Sequence, residues 1–142
     1  MVNDNLPGGC ALVALTVHGD ERGSLVAIEP AGGVPFAIAR VYYLYGTAPG
    51  VTRGLHAHRR LRQLAVAVRG SCTMLLDDGS RRISMRLDDP ATGLLVEPMV
   101  WHEMSDFSPD CVLMVVADAP YDEADYIRGH DEFAALAGQR PV

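Results

Sequence analysis

The densest group of reactive side chains lies between residues 53 and 63, in the run RGLHAHRRLRQ. A single residue separates His56 from His58, so in a β-strand both rings would point to the same face. Imidazole titrates near physiological pH and can therefore remove or deliver protons. The pair predicts acid–base chemistry if that face points into the protein, whereas a face in solvent would leave two ordinary surface histidines.

Four more side chains could complete a binding site with this pair. Arg53 precedes the histidines and Gln63 follows them, while Trp101 and His102 stand together in the later run PMVWHEMSDF. The planar fork of a guanidinium suits phosphate oxygens, and it can also stabilise an oxyanion during a reaction. Trp101 has two interpretations, which are stacking on a sugar or base and simple filling of the core.

The elements that would position these residues are mostly strands. Short apolar runs are separated by turn residues, and Asp-Gly at 78–79 is typical of a tight hairpin. Only the tail predicts a helix, over 131–137, with acidic residues in its first turn and Gly138 as its stop. This pattern favours an all-β sandwich or barrel of the jelly-roll kind. Strands are predicted over 11–17, 24–29, 36–45, 64–68, 71–76, 81–87, 94–96 and 111–117.

Composition and charge limit the classes of function. The chain has 142 residues and a formal net charge of −6, which fits one domain over residues 1–142 and disfavours general nucleic-acid binding. No apolar run is long enough to cross a bilayer, and the first residues lack a signal-peptide pattern. Cys10, Cys72 and Cys111 have no close spacing and suit a reducing compartment. We therefore expect a cytoplasmic protein without nucleic-acid or membrane partners.

A small β domain must protect the edges of its sheets. The N-terminal hairpin, predicted within residues 11–29, could do so by pairing with a second copy of the chain. We therefore expect a homodimer in which this hairpin is exchanged.

The spacing of glycines and histidines around residue 56 resembles the first motif of the cupin superfamily, and residues 98–106 resemble the second. Cupins are small jelly-roll barrels whose interior holds a ligand or a metal. Metal-binding cupins usually have a glutamate where this chain has Gln63, and a neutral amide is a poorer ligand for a divalent ion. A metal is therefore disfavoured but stays open. The first motif consists of Gly50, His56, His58, Gln63 and Gly70.

A closer resemblance covers roughly residues 40–133. The segments RGLHAH, WHEMSDFS and YDEADYIR are similar to those of the sugar 3,4-ketoisomerases, which are cupin-fold enzymes of deoxysugar biosynthesis. The resemblance implies a small jelly-roll barrel of the cupin, RmlC-like type with a short C-terminal helix. It also implies a dTDP-linked 4-keto-6-deoxy sugar, such as dTDP-4-keto-6-deoxyglucose, as substrate. The tail segment YDEADYIR suggests no chemistry of its own, and we expect a structural or lid role for it.

The implied reaction moves a ketone from C4 to C3 of the sugar through an enediol. By the motif match, His56 is the base at C3, and His58 orients the sugar or passes a proton. Tyr42 matches a family tyrosine of the proton shuttle, and strand alternation separates it from Tyr43 and Tyr45. Arg53, Gln63, Trp101 and His102 are candidates for binding the substrate. The reaction is internal, so it needs no redox carrier, and we expect no cofactor.

The resemblance also bears on the configuration of the product at C4. The positions that match Arg22 and His102 differ between two branches of the family. Arginine with histidine is similar to the galacto branch, whereas tyrosine with arginine is similar to the gluco branch. Arg22 and His102 therefore favour dTDP-3-keto-6-deoxy-D-galactose, although Arg22 also fits an ordinary exposed turn residue.

Three other functions compete with this one. A metal-dependent cupin enzyme would carry a stoichiometric ion, and a nucleotide-sugar 3,5-epimerase would exchange hydrogen at C5. A non-catalytic sugar-binding module would keep its affinity without His56.

Overall fold

One layer of the protein is a six-stranded antiparallel sheet. The structure is a computed structural model that describes residues 2–3, 5–30 and 33–138. In spatial order the strands of this sheet are β1 (Val2–Asn3), β2 (Ala11–Ala14), β10 (Thr92–Val96), β7 (Gln63–Arg69), β12 (Val112–Ala117) and β5 (Arg40–Tyr45).

The second layer is a five-stranded antiparallel sheet that carries all the histidines of the predicted motifs. In spatial order its strands are β13 (Tyr126–Ile127), β6 (Arg53–His58), β11 (Trp101–Ser105), β8 (Cys72–Asp77) and β9 (Arg82–Leu87).

The main hydrophobic core lies between the two sheets. Apolar side chains of β7 and β12, such as Ala65 and Leu113, pack in one cluster with Met74 and Leu76 of β8. Burying a large aliphatic side chain stabilises the fold by about 1.5–3 kcal/mol, so this layer is the main source of stability. Each sheet is a separate hydrogen-bonded unit among the described strands. The architecture is therefore jelly-roll-like, as predicted, but it is a sandwich whose sheets do not close into a barrel.

Two smaller clusters cover the outer faces of the sheets. Phe36 and Ile38 pack over Leu64 and Val116 on the outside of the six-stranded sheet. Only the second part of the strand predicted over 36–45 forms a strand, β5. The first part, with Phe36 and Ile38, packs over the outer face of the sheet instead. On the other sheet, Phe133 of helix α1 (His130–Ala137) is completely buried, and this helix confirms the predicted one. Within the described residues, no helix has the length and apolar character that crossing a membrane requires.

The N-terminal part is divided differently from the prediction. Of the strand predicted over 11–17, only Ala11–Ala14 forms β2 in the large sheet. Val17 already begins a separate hairpin of β3 (Val17–Asp20) and β4 (Gly23–Val26). Neither hairpin strand pairs with another strand of the described part of the chain. Most hairpin side chains are exposed, including Val17 at 47% and Leu25 at 59%.

Candidate functional site: a histidine cluster at the mouth of the sandwich

Three imidazoles meet on the inner face of the five-stranded sheet. His56 and His58 extend from β6, and His102 lies opposite His56 on the neighbouring strand β11. The ring centre of His56 lies 4.8 Å from that of His58 and 4.6 Å from that of His102. His58 and His102 are buried, and His56 is half-buried. The predicted pair therefore faces inward, and His102 joins it.

A bulge in β6 aims His56 at this cluster. Gly54 lies opposite Glu103 and His56 opposite His102, with a register shift between the two pairs. Gly54 has a φ of +83°, and a Cβ at this position would lie 3.0 Å from the backbone oxygen of His102. The Gly54 carbonyl accepts a hydrogen bond from Nδ1 of His56 at 2.9 Å. The glycine of the RGLH segment thus permits the bulge and fixes the ring of the predicted base.

Burial sets the protonation of the cluster. It lowers the pKa of His58 to about 3, with further contributions from His56, Arg40 and Arg128. It likewise lowers the pKa of His102 to about 3. The pKa of His56 is also lowered, mainly by burial and against the opposite effect of the Gly54 carbonyl. All three rings are therefore neutral at neutral pH, the state in which an imidazole can accept a proton.

Tyr42 and Gln63 lie beside the histidines on the inner face of the other sheet. The Tyr42 hydroxyl donates a 2.7 Å hydrogen bond to Oε1 of Gln63, and burial raises the pKa of Tyr42 to about 12. Both side chains line a small interior cavity together with His102. Tyr43 and Tyr45 are exposed on the opposite face, as strand alternation predicts. Of the three tyrosines, only Tyr42 lines this cavity beside His102.

A cavity of about 400 Å³ opens from the cluster to the surface. Arg53 stands at its edge, exposed and without an ion pair to any described residue. Arg40 and Arg128 also line it, and the Arg40 guanidinium lies 4.7 Å from the ring centre of Tyr42. The mouth is therefore cationic although the chain is acidic. Arg40 was not among the predicted site residues, although its spacing from Tyr42 could have indicated it.

The tail segment YDEADYIR forms one wall of this cavity. The Tyr126 ring centre lies 4.8 Å from that of His56 and 4.4 Å from that of His58. The Arg128 guanidinium lies 4.3 Å from the Tyr126 ring and makes two 2.7 Å hydrogen bonds to Glu123. The sequence predicts only a structural or lid role for this segment. In the structure, however, the segment supplies Tyr126 as a direct neighbour of the histidines.

Trp101 and Arg22 are not brought to the cluster. Trp101 packs outside the five-stranded sheet, 5.9 Å from the ring of Phe133, and its indole donates to Glu103 at 2.9 Å. The geometry therefore supports a packing role for Trp101 and not stacking on a sugar or base. Arg22 sits in the turn of the β3–β4 hairpin, paired with Asp20, and its side chain is 85% exposed.

The three imidazoles are also a candidate metal site. One ring nitrogen from each lies within 4.8 Å of those of the other two. That is wider than the roughly 3.4 Å expected between nitrogens bound at about 2.1 Å to one tetrahedral ion. Gln63, at the position of the metal-binding glutamate, already accepts the hydrogen bond from Tyr42. The donor set therefore fits a resident metal poorly in this arrangement.

Comparison with known proteins identifies the family. Residues 8–138 match the model of the family described as FdtA: WxcM-like, C-terminal. The chain belongs to the FdtA-like family of sugar 3,4-ketoisomerases. The TDP-4-oxo-6-deoxy-alpha-D-glucose-3,4-oxoisomerase of Aneurinibacillus thermoaerophilus is 55% identical over 114 residues, which is 80% of this chain and 82% of that protein. The predicted family and enzyme class, an intramolecular oxidoreductase, are thus confirmed.

Two crystal structures of the 3,4-ketoisomerase QdtA from Thermoanaerobacterium thermosaccharolyticum are similar throughout. A histidine-to-asparagine mutant in complex with TDP-4-keto-6-deoxyglucose has a TM-score of 0.92 and 37% identity over 95% of this chain and 98% of QdtA. A double mutant that replaces a tyrosine by arginine and an arginine by histidine, in complex with TDP, has a TM-score of 0.91 and 39% identity over 94% and 97%.

A more distant structure shows the fold alone. The RmlC epimerase of Mycobacterium tuberculosis has a TM-score of 0.74 at 20% identity, over 89% of this chain and 71% of that protein. The predicted RmlC-like fold class is thus confirmed.

Proposed function

We propose that this ketoisomerase converts dTDP-4-keto-6-deoxy-D-glucose into dTDP-3-keto-6-deoxy-D-galactose. The observation that carries the proposal is the cluster of three neutral imidazoles, of which His56 lines a cavity that Arg40, Arg53 and Arg128 also line. The relative from Aneurinibacillus acts on the same 4-keto sugar by its name, and QdtA is seen in complex with it.

The reaction needs only proton transfers, and the cluster provides groups for each. His56 removes the proton from C3, and the C4 oxygen gains a proton to give the enediol. The C3 hydroxyl then loses its proton to become the ketone, and C4 carbon is protonated. His58 and Tyr42 pass protons between the two oxygens and carbons, so no atom is gained or lost overall. His102 packs against the ring of His56, and Gln63 accepts the hydrogen bond of the Tyr42 hydroxyl, so both help to position the groups that transfer protons.

The arginines at the mouth fit the diphosphate of the nucleotide. Arg53 is exposed and unpaired among the described residues, so its guanidinium is available to phosphate oxygens. Arg40 and Arg128 add positive charge on the same cavity. Trp101 has a packing role in this proposal, because it lies under helix α1.

Arg22 lies in an exposed hairpin, paired with Asp20, and it lines none of the described cavities that His56, His58 and His102 line. We therefore propose a homodimer in which the β3–β4 hairpin of one chain lies against the pocket of the other. The exposed Leu25 and Val17 would be covered by this exchange. The galacto product rests on the resemblance of Arg22 and His102 to the galacto branch, and the double mutant of QdtA introduces the same two residue types, arginine and histidine.

We also propose a reducing, cytoplasmic setting, in which Cys10, Cys72 and Cys111 stay free and buried.

Product analysis in D2O tests the function. NMR of the product from dTDP-4-keto-6-deoxyglucose should show a 3-keto sugar with deuterium at C4. The His56→Asn variant should lose turnover by a factor on the order of 1,000 while retaining affinity for dTDP. His130, at the start of helix α1 beside Trp101 on the outside of the five-stranded sheet, provides the control, and His130→Asn should leave turnover unchanged. Deuterium at C5 instead of C4 would indicate the epimerase, and activity lost to chelator together with a stoichiometric ion would indicate the metal enzyme.

A further inference from the structure

His58 has a buried nitrogen that the proposed reaction does not yet explain. Its side chain is 3% exposed, and its Nδ1 is a buried side-chain atom without a hydrogen-bond partner. The equivalent nitrogens of His56 and His102 donate to the carbonyls of Gly54 and Val100, at 2.9 and 3.2 Å. Leaving a buried polar atom unpaired is unfavourable, so we expect a partner for Nδ1 at short range.

That partner is a buried carboxylate. Oδ2 of Asp125 lies 3.4 Å from Nδ1 of His58, and the Asp125 side chain is only 8% exposed. Hydrogen bonds of a catalytic dyad are often long without substrate and shorten when the substrate binds. A small displacement of either side chain would turn this contact into a hydrogen bond.

The loops around Asp125 hold the carboxylate in place. Its two oxygens accept hydrogen bonds from the backbone amides of Arg60 and Leu61, at 2.9 and 3.1 Å. Asp125 ends a short 3-10 turn directly before β13, where Tyr126 pairs with His58. The position of Asp125 relative to His58 is therefore fixed from two sides, by the loop after β6 and by the register of β13.

A carboxylate at this place decides where the proton of a neutral His58 resides. Asp125 can only accept, so a proton on Nδ1 gives attraction, whereas a lone pair on Nδ1 would give repulsion. With Nδ1 protonated, Nε2 carries the lone pair on the other side of the ring. When Nε2 takes up a proton during the reaction, the nearby negative charge stabilises the imidazolium more than a carbonyl would.

We infer that Asp125 is a positioning residue for His58, which it holds in the Nδ1–H form and supports when His58 becomes the protonated member of the relay. This inference rests on the proposed function, because that function is what makes the His58 ring gain a proton during the reaction. The groups around His58 are His56 on β6, His102 on β11, Tyr126 on β13, and the arginines Arg40 and Arg128. The cavity that His58 lines also contains Arg60, Asp118 and Asp122, and Arg60 lies 3.7 Å from Asp125. Among the described carboxylates, Asp125 is the one that forms an ion-pair contact with His58, so it has a distinct part.

The Asp125→Asn variant tests the inference, with Asp118→Asn as matched control. Asp118 also accepts a hydrogen bond from the loop after β6, from the Arg62 amide at 3.1 Å. Like His58 and Asp125, it lines a cavity of about 170 Å³. We expect Asp125→Asn to lower kcat on the order of 100-fold with little change in KM, and to shift the pH profile of kcat. Asp118→Asn should keep kcat within about twofold, and Asp125→Glu, which retains the charge, should recover part of the loss. Equal kcat values for the two Asn variants would overturn the inference.

Nitrogen-15 NMR of the histidine rings gives a readout independent of turnover. In the wild-type protein without substrate, His58 should be the Nδ1–H tautomer, and in Asp125→Asn the proton should move toward Nε2. A wild-type His58 in the Nε2–H form overturns the inference even if the variant fails to fold. Wild-type protein that does not convert the 4-keto sugar would instead contradict the proposed function, while the NMR result would still decide the role of Asp125.

Discussion

His102 is a buried base without a countercharge, and this makes stability depend on pH. Its pKa is about 3 in the folded protein, against 6.5 for an ordinary histidine. Below pH 6.5 the unfolded chain binds a proton on this ring and the folded protein does not, so the free energy of unfolding falls as pH falls. Between pH 7 and 5 the loss is about 2 kcal/mol, and His58 adds a similar amount.

Urea unfolding at pH 7, 6 and 5 measures this slope. His102→Asn should remove about 2 kcal/mol of the decrease, whatever its effect on stability at pH 7. Ser105→Ala, on the same strand, changes no ionisable group and should leave the slope as in the wild type. An undiminished slope in His102→Asn would show that the ring is protonated in the folded protein.

The proposed galacto configuration of the product also makes a prediction about single residues. Exchanging Arg22→Tyr together with His102→Arg should shift the product from the galacto toward the gluco form, because the proposal assigns to these side chains the choice of the enediol face that receives the proton. NMR coupling constants at C4 measure the ratio. Arg59→Tyr, which changes an exposed arginine next to the site, is the control. A product ratio that stays constant in the double variant would refute the assignment of Arg22 and His102.

At the scale of the element, the bulge in β6 links backbone conformation to catalysis. Gly54 and Gly50 both have positive φ, at +83° and +80°, but a Cβ at Gly50 would meet nothing within 4 Å. Alanine at either position should cost roughly 1–2 kcal/mol through φ alone. Gly54→Ala also presses on the His102 carbonyl and displaces the acceptor of His56, so it should lose more stability and lower kcat. Urea unfolding and kcat of both variants test this, and equal losses would exclude a role for the bulge.

Strands and helix were largely predictable because each carries its pattern locally. The predicted strands 64–68, 71–76 and 81–87 correspond to β7, β8 and β9 within a residue or two at their ends. Alternation correctly separated Tyr42 from Tyr43. The same rule applies to the adjacent Trp101 and His102, which lie on opposite faces of β11 and so cannot both line one pocket.

What could not be predicted depends on long-range pairing. β13 has only two residues, and it is a strand only because β6 lies beside it. Asp125 and Tyr126 therefore reach the histidines through a contact between segments far apart in the chain, which no local pattern shows. The separation of 11–17 into β2 and β3 likewise depends on which sheet each part joins. Pairing with distant strands therefore decides which residues form a strand, even where the local β propensity is uniform.

At the scale of the whole molecule, two exposed apolar surfaces are not covered by any of the described residues. On the outer face of β5, at the edge of the six-stranded sheet, Val41, Tyr43 and Tyr45 are 56%, 63% and 72% exposed. The β3–β4 hairpin is the other surface, with Leu25 the most exposed of its apolar side chains. Exposed apolar strands at a sheet edge invite pairing with another chain. A second copy that receives the hairpin would cover both surfaces and would bring Arg22 to a histidine cluster.

Mixed dimers test this arrangement directly. His56→Asn subunits lack the base, and Arg22→Glu subunits lack the cation of the hairpin, so each homodimer should have little activity. If the hairpin is exchanged, a mixed dimer has one site with the intact His56 of one chain and the intact Arg22 of the other. Random reassembly at equal amounts should then recover about a quarter of the wild-type activity per site. If each hairpin serves its own chain, that site never forms, and mixing recovers nothing. A wild-type protein that light scattering finds only as a monomer would contradict the exchange, because Arg22 would then have no second subunit to reach.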